Sequence, residues 1–253
     1  MRPSSAPSSK HSRSNWPWLG CRSRLAGLLT LVHRRVQDPP RFLRPGHPAY
    51  YCPVERAQRR THHPRQPDPR PPCPRPPSRT VTPEFTADVE THLKTVVAQG
   101  PAQRTAAARG LWSSLLDNKE EPTTAQLAQV LAHVQSPELR DRLLADMPGL
   151  DLPMELVLFG ESDAAPDWDR IDTAEALLRQ LYSVAAPKHA AAPLTVLGCI
   201  AWWKGKGSFA SDLMDLARSF DPDYRLARLM SQMLGCGLVA GWATNKTQAY
   251  RTL

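Results

Sequence analysis

From Thr82 onward the chain carries leucine, valine and alanine at intervals of three and four residues, the period that turns one side of an α-helix apolar. The spacing predicts a first helix over Pro83 to Ala98, with Phe85, Val89, Leu93, Val96 and Val97 on one face, stopping before Gly100-Pro101. A second runs from about Ala102 to Leu116, with Leu111, Trp112 and Leu115 as its apolar end. Pro122-Thr123-Thr124 opens a third through Leu127, Val130, Leu131 and Val134. Ser136-Pro137-Glu138 opens a fourth through Leu139, Leu143 and Leu144, with Ser136 as N-cap and Pro137 at the first helical position. Leu152 to Phe159 is too short for periodicity to separate helix from strand, and we read it as helix. Asp163, Asp167, Asp169 and Asp172 then lead into a helix through Ile171, Ala174, Leu177, Leu178 and Leu181.

Residues 191 to 235 carry the sharpest pattern: a helix from Ala191 to Trp203, a Lys-Gly-Lys-Gly turn, a helix from Ser208 to Phe220, an Asp-Pro stop and a further helix. Leu194, Leu197, Gly198 and Ala201, followed by Ala210, Met214, Ala217 and Pro222, resemble one tetratricopeptide-like unit, although no second copy lies 34 residues to either side. Gly198 and Ala210 would let two antiparallel helices approach, and Met214 would fill the gap between them. On that geometry Trp202 and Trp203 fall where such repeats face a ligand groove, against the alternative that at least one is core. Neighbours on a helix point about 100° apart, so the two are not expected to be equally buried. The fold class expected is therefore all-α, built of helical hairpins and repeat-like at its carboxy-terminal end, over residues 81–243, with 244–253 as a tail.

Composition changes the picture before residue 80. Residues 1–80 hold 16 basic against 3 acidic side chains and 16 of the 26 prolines, whereas residues 81–253 hold 16 against 21. The net charge of +8 thus joins a basic stretch to an acidic body. So few aliphatics cannot offset chain entropy, so residues 1–80 are expected to be a disordered Arg/Pro-rich segment. Arginine, proline, serine and histidine in excess, with acids nearly absent, is also what GC-rich DNA yields in the wrong frame, and a frame or start-site artefact is the leading reading. A genuine tail, a targeting segment or nucleic-acid binding through the arginines are the others. No run of 18 apolar residues exists, so no membrane span is expected.

The chain offers no recognisable catalytic, cofactor-binding or metal-ligating set. A phosphate-binding P-loop fails because Ile200 stands where Gly205-Lys206 would need its first glycine, and GxGxxG, HExxH and GxSxG are missing. Asp167 and Asp169 precede a helix, where carboxylates cap amides, which we weigh above a metal site. Asp141, between Arg140 and Arg142, reads as part of a solvated ion-paired face. His92, His133 and His189 have no cysteine or serine nucleophile beside them. Cys199 and Cys236 read as buried thiols of a reducing cytoplasm.

The run from Ala192-Pro193-Leu194 to Trp202-Trp203, Gly205 and Gly207, Ala217 and the Asp221 to Leu229 run resemble the actinobacterial domain of unknown function 4192 family. Glu138 to Leu144 and Trp168 to Leu178 extend the likeness, which covers about Pro83 to Ala240. The resemblance implies no activity and no catalytic residues. It implies that typical members begin with an α/β half rich in apolar strands, where this chain has its Arg/Pro-rich stretch. A helical half without that partner would keep an apolar face uncovered.

The function expected is a non-enzymatic, cytoplasmic bacterial domain that binds a protein or peptide through Trp202, Trp203 and Lys204. The alternatives are a half of a two-part protein whose site needed the α/β half, and nucleic-acid binding by the basic stretch.

Overall fold

The computed structural model describes residues 79–118 and 121–251, so the readings attached to residues 1–78 fall outside the described residues. Among the described residues there are ten α-helices, one 3-10 turn and no strand: α1 Pro83–Ala98, α2 Pro101–Asp117, α3 Thr124–Gln135, α4 Pro137–Asp146, α5 Met154–Phe159, α6 Trp168–Val184, the 3-10 turn Pro187–His189, α7 Ala191–Trp203, α8 Gly207–Phe220, α9 Arg225–Gly235 and α10 Gly241–Thr244. The all-α expectation holds, and the run at Leu152 to Phe159 is helical from Met154.

Local chemistry explains five of the ten helix starts. The Thr82 hydroxyl accepts from the Phe85 amide, and Thr123 with Gln126 forms a reciprocal capping box. Asp167 accepts from the Arg170 amide, which gives that carboxylate the capping role expected of it. Pro101 and Pro137 supply the fixed φ of a first turn. Ser136 occupies the N-cap position, but its hydroxyl makes no cap bond.

The core is organised around α7, whose thirteen residues are all buried and include no charged side chain. A helix that is apolar all round needs cover on every side. α7 receives it from α8, α6, α3, α9, α10 and the 3-10 turn. Gly198 makes the closest of these packings possible, since a Cβ there would stand 2.4 Å from Met214 Cε. α8 and α9 are amphipathic and lay Ala210, Leu213, Met214 and Ala217, then Leu226, Ala227, Met230 and Met233, toward the interior. At the other end α1 packs on α3, and α2 bridges α3, α4 and α6.

Three expectations need correction. Val97 is 79% exposed, because Val96 takes the buried position and the next residue turns about 100° away from it. Trp202 and Trp203 are both buried, at 4% and 0% exposure, although they point in different directions. The reason is that α7 has no solvent side, so adjacent positions can bury rings against different neighbours. Nor is 244–253 a tail through residue 251. Gln248 is buried and donates to the carbonyls of Ser162 and Asp163, and Trp168 Nε1 donates to the Gln248 carbonyl.

The segment is held by an aromatic cluster. Trp242 is fully buried, edge-on to Trp203 at 5.3 Å and to Trp168 at 6.1 Å, and Trp168 meets Tyr250 at 5.2 Å. Gly160, at φ 65°, and Gly241 let the two chain segments touch: a Cβ on Gly241 would lie 2.4 Å from the Gly160 carbonyl oxygen. Among the described residues no helix is long and apolar enough to cross a membrane.

Candidate functional site

The three residues singled out for partner binding sit at the carboxy-terminal end of α7, and none of them presents its side chain to solvent. Trp202 Nε1 donates to the Leu238 carbonyl at 2.9 Å, and Trp203 Nε1 donates to the Leu158 carbonyl at 3.0 Å. Each indole therefore satisfies its polar atom inside the fold, as a buried ring must. The Lys204 side chain is 3% exposed and its ammonium bonds to Asp172 and, at 2.5 Å, to Glu175. Tyr250 lies 4.3 Å from that ammonium and donates its hydroxyl to Asp172 Oδ2. Burial alone would depress the Lys204 pKa, but Asp172 and Glu175 outweigh it and hold the ammonium above the ordinary lysine value. Burial likewise pushes Glu175 upward, and Lys204 with Arg179 overcomes it and holds the carboxyl below its usual range. The group is a satisfied, partly buried ion network, which fastens the carboxy-terminal segment to α6 and α7. A surface formed by the three side chains as they stand is absent.

One of the three nevertheless borders open space. Trp202 and Cys199 of α7 floor a shallow cleft whose walls come from Leu144 of α4, Leu158 and Phe159 of α5, and the Leu226, Leu229, Met230 and Met233 face of α9. The helical spacing of Leu226, Met230 and Met233 turns all three toward this side. Its surroundings keep Cys199 a thiol: burial pushes its pKa up to about 12. Met230 and Met233 line the cleft with unbranched, adaptable side chains.

Asp141 supplies the one ionisable carboxylate of the cleft lining. Arg140 and Asp141 are buried, contrary to the solvated face expected of them. Burial is possible because each charge meets the other: Arg140 Nε and Nη2 donate to Asp141 Oδ1 at 2.9 and 2.7 Å, and Nη1 donates to the Tyr224 hydroxyl at 2.6 Å. Burial outweighs the Arg140 charge at Asp141 and raises that carboxyl above its usual value, and it raises the Tyr224 phenol as well. For Arg140 the same burial is overcome by Tyr224 and Asp141, which hold the guanidinium even more firmly protonated. Sequence reasoning missed this set. Arg140 and Asp141 interrupt an apolar run exactly as surface residues would, and only the arrival of Tyr224 from 84 positions away explains their burial.

The histidines lie elsewhere. His189 Nε2 stands 2.9 Å from Glu90 Oε1, and Lys188 pairs with the same oxygen at 2.5 Å. Those two hydrogen bonds hold the Glu90 carboxyl below its usual range, while burial depresses His189 against the pull of Glu90. His133 is buried on α3, and its Nδ1 has no hydrogen-bond partner among the described residues. Burial, helped by His92, lowers its pKa from 6.5 to about 4.

The unfolded chain therefore binds a proton between those two values that the folded chain excludes. Stability should fall as pH drops from about 6.5 toward 4, by about 3 kcal/mol from this residue. His189 adds in the same direction. Urea midpoints at pH 7, 5.5 and 4.5 will register the loss, and His133→Leu is expected to flatten it. An unchanged slope in that variant would assign the pH dependence to other groups.

The model of a family described as a domain of unknown function (DUF4192) matches residues 54–239. No curated protein and no solved structure matches.

Proposed function

The chain belongs to the DUF4192 family, and from that premise we propose that its helical body is a non-catalytic binding domain that packs the apolar part of a protein partner over the mouth of the shallow cleft between α4, α5, α7 and α9. The observation that carries this reading is the shallow, largely apolar cleft, edged by the half-buried Leu229 and with Asp141 in its lining. Hydrophobic clefts edged by methionine suit side chains of several shapes, because an unbranched thioether repacks at little cost. Partly exposed Leu156 and Val239 extend apolar surface on the neighbouring α5 and on the segment after α9. In this reading Trp202 floors the binding surface, while Trp203 and Lys204 hold that floor in place. The buried reduced thiol of Cys199 fits a cytoplasmic setting.

Leu229, half-buried on α9, is the residue to test. Its replacement by arginine would set a charge at the mouth without emptying the core. The expected result is that proteins retained by the parent chain are lost from Leu229→Arg but kept by Val97→Arg, a change on the distant, exposed side of α1. Retention of the same proteins by both variants, with both folded, would refute the cleft as the binding surface.

A further inference from the structure

We propose that the protein packed over the mouth of this cleft is a second copy of the chain, in a two-fold dimer that sets α5 of each copy against α9 of the other. The proposal rests on the binding role of the cleft mouth argued above and adds the identity of the partner.

The face is apolar where the fold leaves it open. Of the five large apolar side chains exposed among the described residues, Leu152, Leu156 and Val239 lie just before α5, on α5 and after α9. The half-buried Leu229 adds the rim of α9. Val239 follows Leu238, whose carbonyl holds the indole of Trp202 at the cleft floor.

The two walls differ in charge. Residues 151–161, which contain α5, carry Asp151, Glu155 and Glu161 and no basic side chain, whereas α9 carries Arg225 and Arg228 and no carboxylate. Helical spacing brings one charge of each sign to the mouth. Glu155 stands three and four residues before Leu158 and Phe159, which line one side, and Arg225 stands four before Leu229 on the other. Both are exposed, and neither has an ion-pair partner among the described residues. Arg228, by contrast, reaches Asp223 at 3.5 Å.

Such a face complements itself. A two-fold axis that lies in the plane of contact and runs along the cleft exchanges the two walls, so Glu155 of one copy meets Arg225 of the other, twice by symmetry. The apolar side chains between the two pairs lose water in the same contact. A partner acidic throughout, or basic throughout, would meet like charge on one wall.

The test is sedimentation equilibrium of the 253-residue chain from about 1 to about 300 μM, a span that covers weak, reversible interfaces. A reversible dimer is expected. Glu155→Arg and Arg225→Glu should each weaken it about 10-fold or more, because each turns two attractive contacts into two repulsive ones. Mixed in equal amounts, the two variants should regain the parental affinity as a heterodimer, since both cross-contacts again join opposite charges. Leu229→Arg should abolish the dimer.

A chain that stays monomeric over the whole range would overturn the second copy as partner. Failure of the cleft reading itself would show differently, as proteins still retained by Leu229→Arg. A dimer indifferent to all three substitutions would lie on another face and overturn the proposal, as would charge variants that do not recover on mixing. Should Leu229→Arg fail to fold, the mixing of the two charge variants, both at exposed positions, decides alone.

Discussion

Replacing Asp141 by leucine is expected to destabilise the domain by about 3–5 kcal/mol, whereas replacing Arg140 by methionine at the same time should restore most of that loss. The asymmetry follows from burial. In the single variant the Arg140 guanidinium, 6% exposed on its side chain, keeps only the Tyr224 hydroxyl and loses its sole carboxylate. An unpaired buried charge cannot escape by deprotonating, since arginine stays charged at any accessible pH. In the double variant two apolar side chains of similar reach replace the pair, and no charge remains to be desolvated. Urea denaturation of the parent, both single variants and the double variant gives the coupling energy directly. If the four stabilities are additive, the pair is not the buried unit described above.

Trp242→Ala is expected to cost about 3–5 kcal/mol, in the range of large aromatic truncations in a core. Its ring lies among Trp203 and Trp168 with no exposure, and its Nε1 donates to the Ser162 hydroxyl at 2.8 Å. Removing the ring leaves a cavity that the rigid neighbours cannot close, because Gly160 and Gly241 already bring the two backbones into contact. It also frees the segment that carries Gln248 and Tyr250, so the Asp172 and Lys204 network should loosen with it. Trp242→Phe keeps part of the packing but gives up the hydrogen bond, and should lose less. Chemical denaturation measures the cost, and the near-UV circular dichroism of the tryptophan cluster should collapse in the alanine variant at temperatures where the far-UV signal persists. A change below 1 kcal/mol in the alanine variant would show that residues 241–251 are as dispensable as a tail.

These two sites mark where sequence reading succeeds and where it stops. The helices of the body could be read because apolar period, proline at first turns and the threonine and aspartate caps are local properties of neighbouring residues. The close packing of Gly198 on Met214 was also legible, since a glycine among large apolar residues has few other reasons to be there. The cleft was legible only through Trp202, one residue of its floor.

What the sequence determined by itself is therefore the all-α class, the positions of α1 to α9 and the contrast between a basic first eighty residues and an acidic body. The tertiary structure alone decided which of two adjacent tryptophans faces the cleft, that Arg140 and Asp141 lie inside, and that the carboxy-terminal segment is docked. The physical reason is the range of the interactions. Helix formation and capping are settled within about four residues, whereas the burial of a charge or a ring depends on partners 36 to 86 positions away, such as Leu238 for Trp202, Tyr224 for Arg140 and Ser162 for Gln248.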